Sequence, residues 1–166
     1  MIKLAAKMKE AGKETYIEVV TYTEEGCLEG AKLAYECGFD YAKEHNLKYS
    51  PFCGKVGGSP VELTGSIDEI VSSAKECIEK GADGVDLTAY RYADGDPIEL
   101  TKAIVDAIGA DKVCIAGSVG NEERMNQMKD AGVAEYTMGS ALFNANFVEG
   151  GTFRENLEYV LNYLRK

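Results

Sequence analysis

The chain has 166 residues, of which 45% are hydrophobic and 28% charged, and its formal net charge at pH 7 is −10. This composition excludes a disordered polypeptide. The acidic balance disfavours nucleic acid and anionic membranes as partners, because both are bound by basic surfaces. No apolar run approaches the ~20 residues of a membrane span, so we expect no membrane partner. Five cysteines without Cys-x-x-Cys spacing predict reduced thiols and a cytoplasmic protein. The single histidine, His45, lies in a polar stretch typical of the surface, so we expect neither a Ser-His-Asp triad nor a histidine-based metal site.

Helix signals and strand signals alternate along the whole chain. Glycines follow amphipathic runs where helices are expected to end, and capping-box patterns at Ser66 and Thr152, with Pro97 after Asp96, mark helix starts. The predicted elements are helix 1–11, strand 15–22, helix 24–37, strand 48–56, helix 66–80, strand 84–90, helix 97–108, strand 112–118, helix 121–131, strand 134–141 and helix 152–165. No hairpin turn is recognisable between them, so we expect parallel strands joined by crossover helices in a single domain over residues 1–166.

The strand count stays open at one place. Phe39–Tyr41 resembles a strand, but residues 42–47 are too few for a crossover helix; alternatively, helix 24–37 continues to about His45. Five or six strands result, fewer than the eight of a closed barrel, which takes typically ~250 residues. The sequence therefore predicts an α/β fold of parallel βα repeats, TIM-barrel-like but incomplete. A flavodoxin-like doubly wound sheet is the alternative.

Two consecutive predicted strands end in Gly-Ser. Gly117-Ser118 follows the apolar run 113–116, and Gly139-Ser140 follows the next strand. Glycine lets a ligand approach the backbone closely, and N–H groups and hydroxyls at such ends bind anions. We therefore expect these four residues to bind phosphate, although tight turns would require the same glycines.

These residues carry a resemblance to a known superfamily. Gly117-Ser118, Gly139-Ser140 and the segment 121–124 resemble the later βα units of phosphate-binding (βα)8 barrels, such as indole-glycerol-phosphate synthase, phosphoribosyl isomerases, ribulose-phosphate epimerase and hexulose-phosphate synthase. The resemblance implies a phosphate cradle at the last two strands. It also likens segment 16–20 to the glutamate-bearing strand of the synthase. Two early βα units of such barrels have no counterpart here.

Four further residues are candidates for the chemistry. Lys55 follows an apolar strand, and Asp86 alternates with Val85 and Leu87, which we expect to face the helices, so that Asp86 points inward and pairs with Lys55. A Lys–Asp pair can transfer protons next to a carbonyl. Glu18 is a candidate acid or base, and Arg91 a candidate phosphate contact. A structural ion pair or exposed charges would explain the same residues.

Together these features predict a lyase or isomerase of a phosphorylated sugar or keto compound. No cofactor and no metal are demanded. The alternative is a non-catalytic phosphate-ligand-binding module or a partial barrel, natural or engineered. Because an incomplete barrel has open sheet edges, we also expect a homo-oligomer, a dimer in the simplest case, that covers them.

Overall fold

The computed structural model describes residues 7, 10–12, 25, 29, 30 and 33, and then 50–165. The chain divides into two compact units, Met1–Lys48 and Tyr49–Lys166, which are described separately. In the first unit, residues 7, 10, 25, 29, 30 and 33 are helical, as predicted at those positions. The predicted strand 15–22, with Glu18, and the ambiguous segment 39–47 lie outside the described residues.

The second unit alternates strands and helices. Its elements are β1 (Lys55–Gly57), β2 (Glu62–Thr64), α1 (Ile67–Glu79), β3 (Val85–Leu87), α2 (Pro97–Ile108), β4 (Val113–Ile115), α3 (Glu122–Asp130), β5 (Glu135–Tyr136), α4 (Ser140–Phe143) and α5 (Phe153–Leu164). Short 3₁₀ turns occupy Ala89–Arg91 and Ala110–Lys112. Between residues 50 and 165 no helix is long and apolar enough to cross a membrane.

The four longer helices begin where the sequence predicts. Ser66 and Thr152 form complete capping boxes with Glu69 and Glu155, so each helix start has a side-chain acceptor for its N3 amide and a carboxylate for its cap amide. Asp96 accepts from two first-turn amides of α2, and Asn121 accepts from the Arg124 amide of α3. These caps satisfy amides that have no partner inside the helix.

The central sheet is parallel, with β3, β4 and β5 in sequential order. Phe52 adds a parallel bridge to Asp86 on the outer side of β3. The alternate residues of β3 and β4 that face the helices are fully buried or nearly so, and they form the core with apolar residues of α1, α2 and α3: Val85, Leu87, Val113, Ile115, Ile70, Ala74, Leu100, Ile104, Met125 and Met128. The α/β fold with parallel strands is thus confirmed, and the expectation that Val85 and Leu87 face the helices is confirmed with it. The strands described do not close into a barrel.

A β-hairpin departs from the prediction that no hairpin turn is present. β1 and β2 pair antiparallel, with Lys55 opposite Thr64 and Gly57 opposite Glu62. The chain turns out of the parallel sheet at Gly54, whose φ of +77° favours glycine and where a Cβ would lie only 2.7 Å from Leu63 Cδ1. The segment predicted as strand 48–56 therefore divides between a bridge to the sheet at Phe52 and the first hairpin strand.

The predicted strands also extend too far at their carboxyl ends. β3 ends at Leu87 and passes into the turn Ala89–Arg91, and β5 ends at Tyr136, four residues before α4 begins at Ser140. The residues beyond each strand are consequently loop residues. They form the edge of the sheet on which the candidate site lies.

Candidate functional site

The two Gly-Ser segments lie next to each other at the carboxyl edge of the sheet. The Gly117 amide donates a 2.9 Å hydrogen bond to the Thr137 Oγ1, at the end of β5. Further along, the Asn146 Nδ2 donates to the Gly120 carbonyl over 3.2 Å, and a Cβ on Gly120 would lie 3.5 Å from the Ala141 Cβ. Segments 117–120 and 138–141 therefore form one continuous rim, which we call the Gly-Ser edge.

The backbone at the start of the Gly-Ser edge is left-handed at two successive residues. Gly117 has φ +76° and Ser118 has φ +63°, the second being unusual for a residue with a side chain. Within the part of the chain that the structure describes, the amides of Ser118, Val119 and Gly120 donate to no acceptor. The amides of segment 138–141 have no acceptor there either. Unpaired amides clustered in this way can bind an anion.

Arg91 places a positive charge at this edge. It ends the 3₁₀ turn after β3, and its Nη2 lies 3.9 Å from the position of a Cβ built on Gly117. The Arg91 side chain is exposed and forms no ion pair with any described carboxylate. A guanidinium that is not paired within the described chain can bind a phosphate in a bidentate manner. The structure thus brings together Arg91 and Gly117, two of the predicted phosphate contacts.

The left-handed Ser118 is held by a second arginine that the sequence analysis did not select. The Arg124 Nη1 donates to the Ser118 carbonyl over 2.6 Å, while its guanidinium carbon lies 4.4 Å from the centre of the Tyr90 ring. The Tyr90 hydroxyl in turn donates to the Gln127 Oε1 over 2.8 Å. Burial is the main cause that raises the pKa of Tyr90. Arg124 therefore positions the loop after β4 and connects it to the end of β3.

Ser140 and Gly139 are both exposed at the other side of the edge. Nothing lies within 4 Å of a Cβ built on Gly139, and Ser140 is the first residue of α4. The space in front of these residues is therefore open to a ligand. Their position in the fold agrees with the prediction that both strand ends face one point, whereas their binding of phosphate stays a prediction.

Lys55 lies elsewhere, on the exposed side of the hairpin. It lines a cavity of about 220 Å³ together with Thr64, Glu69 and Ser73. The pKa of Glu69 is lowered mainly by hydrogen bonds from the Ser66 amide and hydroxyl, and Lys55 lowers it further. The left-handed turn at Gly54 accounts for the position of Lys55, because it takes the chain out of the parallel sheet before that residue. Among the described residues no ion pair joins Lys55 to Asp86.

Asp86 is half-buried on the sheet face opposite the helices. In the strand register it stands beside Cys114, which in turn stands beside Glu135. Asp86 precedes Arg91 on the same strand and turn, so the carboxylate and the guanidinium belong to one continuous segment. Its predicted catalytic role, like that of Lys55, stays a prediction, and Glu18 lies outside the described residues.

Within residues 50–165 and the few described before them, no group of three His, Cys, Asp or Glu side chains could hold a metal ion. No family model, curated protein or solved structure matches this chain.

Proposed function

We propose that this chain binds a small phosphate monoester at the Gly-Ser edge. The observation that carries the proposal is the Arg91 guanidinium next to Gly117, where the following three amides have no acceptor among the described residues. Phosphate oxygens accept several hydrogen bonds at once, and bonds from a cation are roughly twice as strong as neutral ones. Gly117 leaves room for the anion because any side chain there would stand against the guanidinium.

The architecture supports a fold related to incomplete phosphate-binding barrels. In the second unit α1, α2 and α3 all pack on one face of the parallel sheet, as in a barrel, whereas a doubly wound sheet has helices on both faces. The bridge from Phe52 to Asp86 also extends the sequential strand order by one more segment. We propose a TIM-barrel-like, incomplete fold on these grounds.

Phosphate binding can be tested by thermal shift and calorimetric titration with inorganic phosphate. A ligand at a hundred times its Kd stabilises the folded state by about 2.7 kcal/mol. We expect Arg91→Gln to weaken phosphate binding about tenfold or more, and Ser140→Asp to abolish it by charge repulsion. Arg165→Gln, which removes an equal charge at the end of α5, is the matched control. Unchanged phosphate affinity in Arg91→Gln, or no phosphate binding by the wild-type protein, would show the proposal to be wrong.

A second proposal is that the ligand is turned over by a lyase or isomerase reaction. The observation that favours it is the half-buried Asp86 carboxylate on the segment that continues to Arg91. Such a carboxylate can remove a proton next to the carbonyl of a phosphorylated sugar or keto compound. Proton–deuterium exchange at that carbon, followed by NMR in heavy water, should be abolished by Asp86→Asn. Phosphoester binding without exchange for any substrate would instead support the non-catalytic binding module.

Oligomeric state and cellular location remain part of the proposal. We expect a homodimer in the cytoplasm, and sedimentation velocity over a range of concentrations tests the first expectation. A protein that stays monomeric at the highest concentration would contradict it.

A further inference from the structure

A cleft lies between the hairpin and the segment that contains Arg91. Residues 59–62 form one wall and residues 91–93 the other, and together they line a shallow depression of about 610 Å³ that is open to solvent. The walls are tied together, because the Ala93 amide donates to the Leu63 carbonyl over 2.9 Å and Tyr92 forms a parallel bridge with Leu63. The Tyr92 hydroxyl also donates to the Gly65 carbonyl over 2.9 Å. The cleft is therefore held in place by hydrogen bonds and does not need a ligand to form.

Arg91 belongs both to this cleft and to the Gly-Ser edge. Its guanidinium stands next to Gly117, and the residue also lines the cleft wall. A ligand whose phosphate group is bound at Arg91 can therefore extend into the cleft with the rest of its molecule. The two regions can act as one ligand site with the phosphate at one end.

Negatively charged side chains outnumber positively charged ones around the cleft. Of the residues that line it, Arg91 and Glu62 are the charged ones, and Glu62 is exposed at the start of β2. Behind the wall, the carboxylates of Asp94, Glu99 and Glu69 stand near enough to Tyr92 to raise its pKa, after the larger effect of burial. Apart from Arg91, and from Lys55 beside Glu69, the charged groups around the cleft are therefore acidic.

We propose that Glu62 is a specificity-determining residue of a phosphate monoester site. Its carboxylate accepts hydrogen bonds from hydroxyl groups of the ligand and repels any ligand that carries a second negative charge in the cleft. This inference rests on the proposed phosphate site. It narrows the ligand to a monophosphate whose remaining part is uncharged and hydroxylated, and it disfavours bisphosphates and phosphorylated carboxylic acids.

Two ligands with the same phosphate group test the inference. Glycerol 3-phosphate ends in a hydroxymethyl group where 3-phosphoglycerate has a carboxylate. In calorimetric titrations at pH 8 we expect the wild-type protein to bind glycerol 3-phosphate about tenfold more tightly. Glu62→Gln should reduce that preference to about twofold, chiefly by tighter binding of 3-phosphoglycerate. Glu79→Gln is the matched control, because it removes the same charge from an exposed position near the end of α1 and should retain the tenfold preference.

The outcomes separate this inference from the proposed function. Equal affinity for the two esters in the wild-type protein, with inorganic phosphate still bound, overturns the role of Glu62 and leaves the phosphate site in place. A preference that Glu62→Gln does not change also overturns it. Failure of inorganic phosphate and both esters to bind overturns both proposals. Glu62 is exposed, so an unchanged melting temperature of Glu62→Gln verifies that the comparison is made between folded proteins.

Discussion

Asn156 is a buried polar residue whose removal should destabilise the second unit strongly. It lies on α5 with 0% of its surface exposed. Its Oδ1 accepts from the Phe147 amide over 3.0 Å and from the Val148 amide over 2.9 Å, and its Nδ2 donates to the Thr152 carbonyl over 3.0 Å. The Asn156 side chain thus provides hydrogen-bond partners for three backbone groups of the loop that connects α4 to α5.

Asn156→Ala leaves two half-buried amides without an acceptor and opens a small cavity. Each unsatisfied buried group costs about 1–3 kcal/mol, so we expect a loss of roughly 2–5 kcal/mol in the free energy of unfolding. For a protein of ~150–250 residues this corresponds to a fall of roughly 4–20 °C in Tm. The same loop carries Asn146, which donates to the Gly120 carbonyl, so phosphate affinity should fall as well.

Urea denaturation and thermal melting followed by circular dichroism measure the effect. Asn162→Ala, an exposed substitution on the same helix, is the matched control and should change the unfolding free energy by less than about 0.5 kcal/mol. If Asn156→Ala were no less stable than Asn162→Ala, the loop amides would have another acceptor and the reasoning from the hydrogen bonds of Asn156 would be wrong.

Three further predictions concern a positioning residue, a helix cap and two thiols. Arg124→Met removes the bond to the Ser118 carbonyl, so phosphate should bind about three- to tenfold more weakly by calorimetry, with Lys129→Met as the control. The pKa of Glu155 is lowered mainly by hydrogen bonds within its capping box. Its contribution to stability is therefore present above the unfolded pKa and is lost as pH falls through the folded pKa, so the Tm deficit of Glu155→Ala should be greatest at pH 7 and should shrink in acid. Burial raises the pKa of Cys53 to about 12, and it also raises the pKa of Cys77, which is only half-buried. At pH 8 iodoacetamide should therefore label Cys77 slowly and Cys53 only after unfolding, as measured by mass-spectrometric mapping.

The helices could be predicted closely because their boundaries are set by local chemistry. The capping box at Ser66, the Asp96-Pro97 pair and the cap at Thr152 are complete within four residues of sequence, and each helix starts at the residue that follows its cap. The strands could not be predicted so closely, because a strand ends where its neighbour stops pairing. β3 and β5 are shorter than their apolar runs for that reason.

The hairpin was missed because its cause is not local. Gly54 has to be a glycine because Leu63 and Ile70 stand where its side chain would be. Nothing in residues 52–60 alone reveals that contact. The same turn determines the position of Lys55. The predicted pair with Asp86 required Lys55 to lie in the parallel sheet, but the chain leaves that sheet one residue earlier, at Gly54.

Half of the candidate site could be predicted, and the other half depends on contacts between distant residues. Parallel strands end at one edge of a sheet, so two Gly-Ser ends on consecutive strands were expected to meet, and Arg91 at the end of a third strand was expected near them. Thr137, Asn146 and Arg124 position the same loop through side chains, and their hydrogen bonds span 20, 26 and 6 residues. Such partners have no sequence pattern that distinguishes them from surface residues.

The acidic charge of the chain determines which interactions could hold an anion at the Gly-Ser edge. With a net charge of −10, long-range electrostatics oppose an anionic ligand, so affinity has to come from short-range bonds at one place. Backbone amides supply such bonds without adding a charge, and Arg91 is the charged group that the described structure places against them. A single guanidinium next to neutral amides suits one phosphate group. With Glu62 at the other part of the cleft, a second anionic group would meet repulsion and no compensating cation from the cleft lining. In the site we propose, the same distribution of charge that would favour one phosphate group would therefore select against a ligand with a second anionic group.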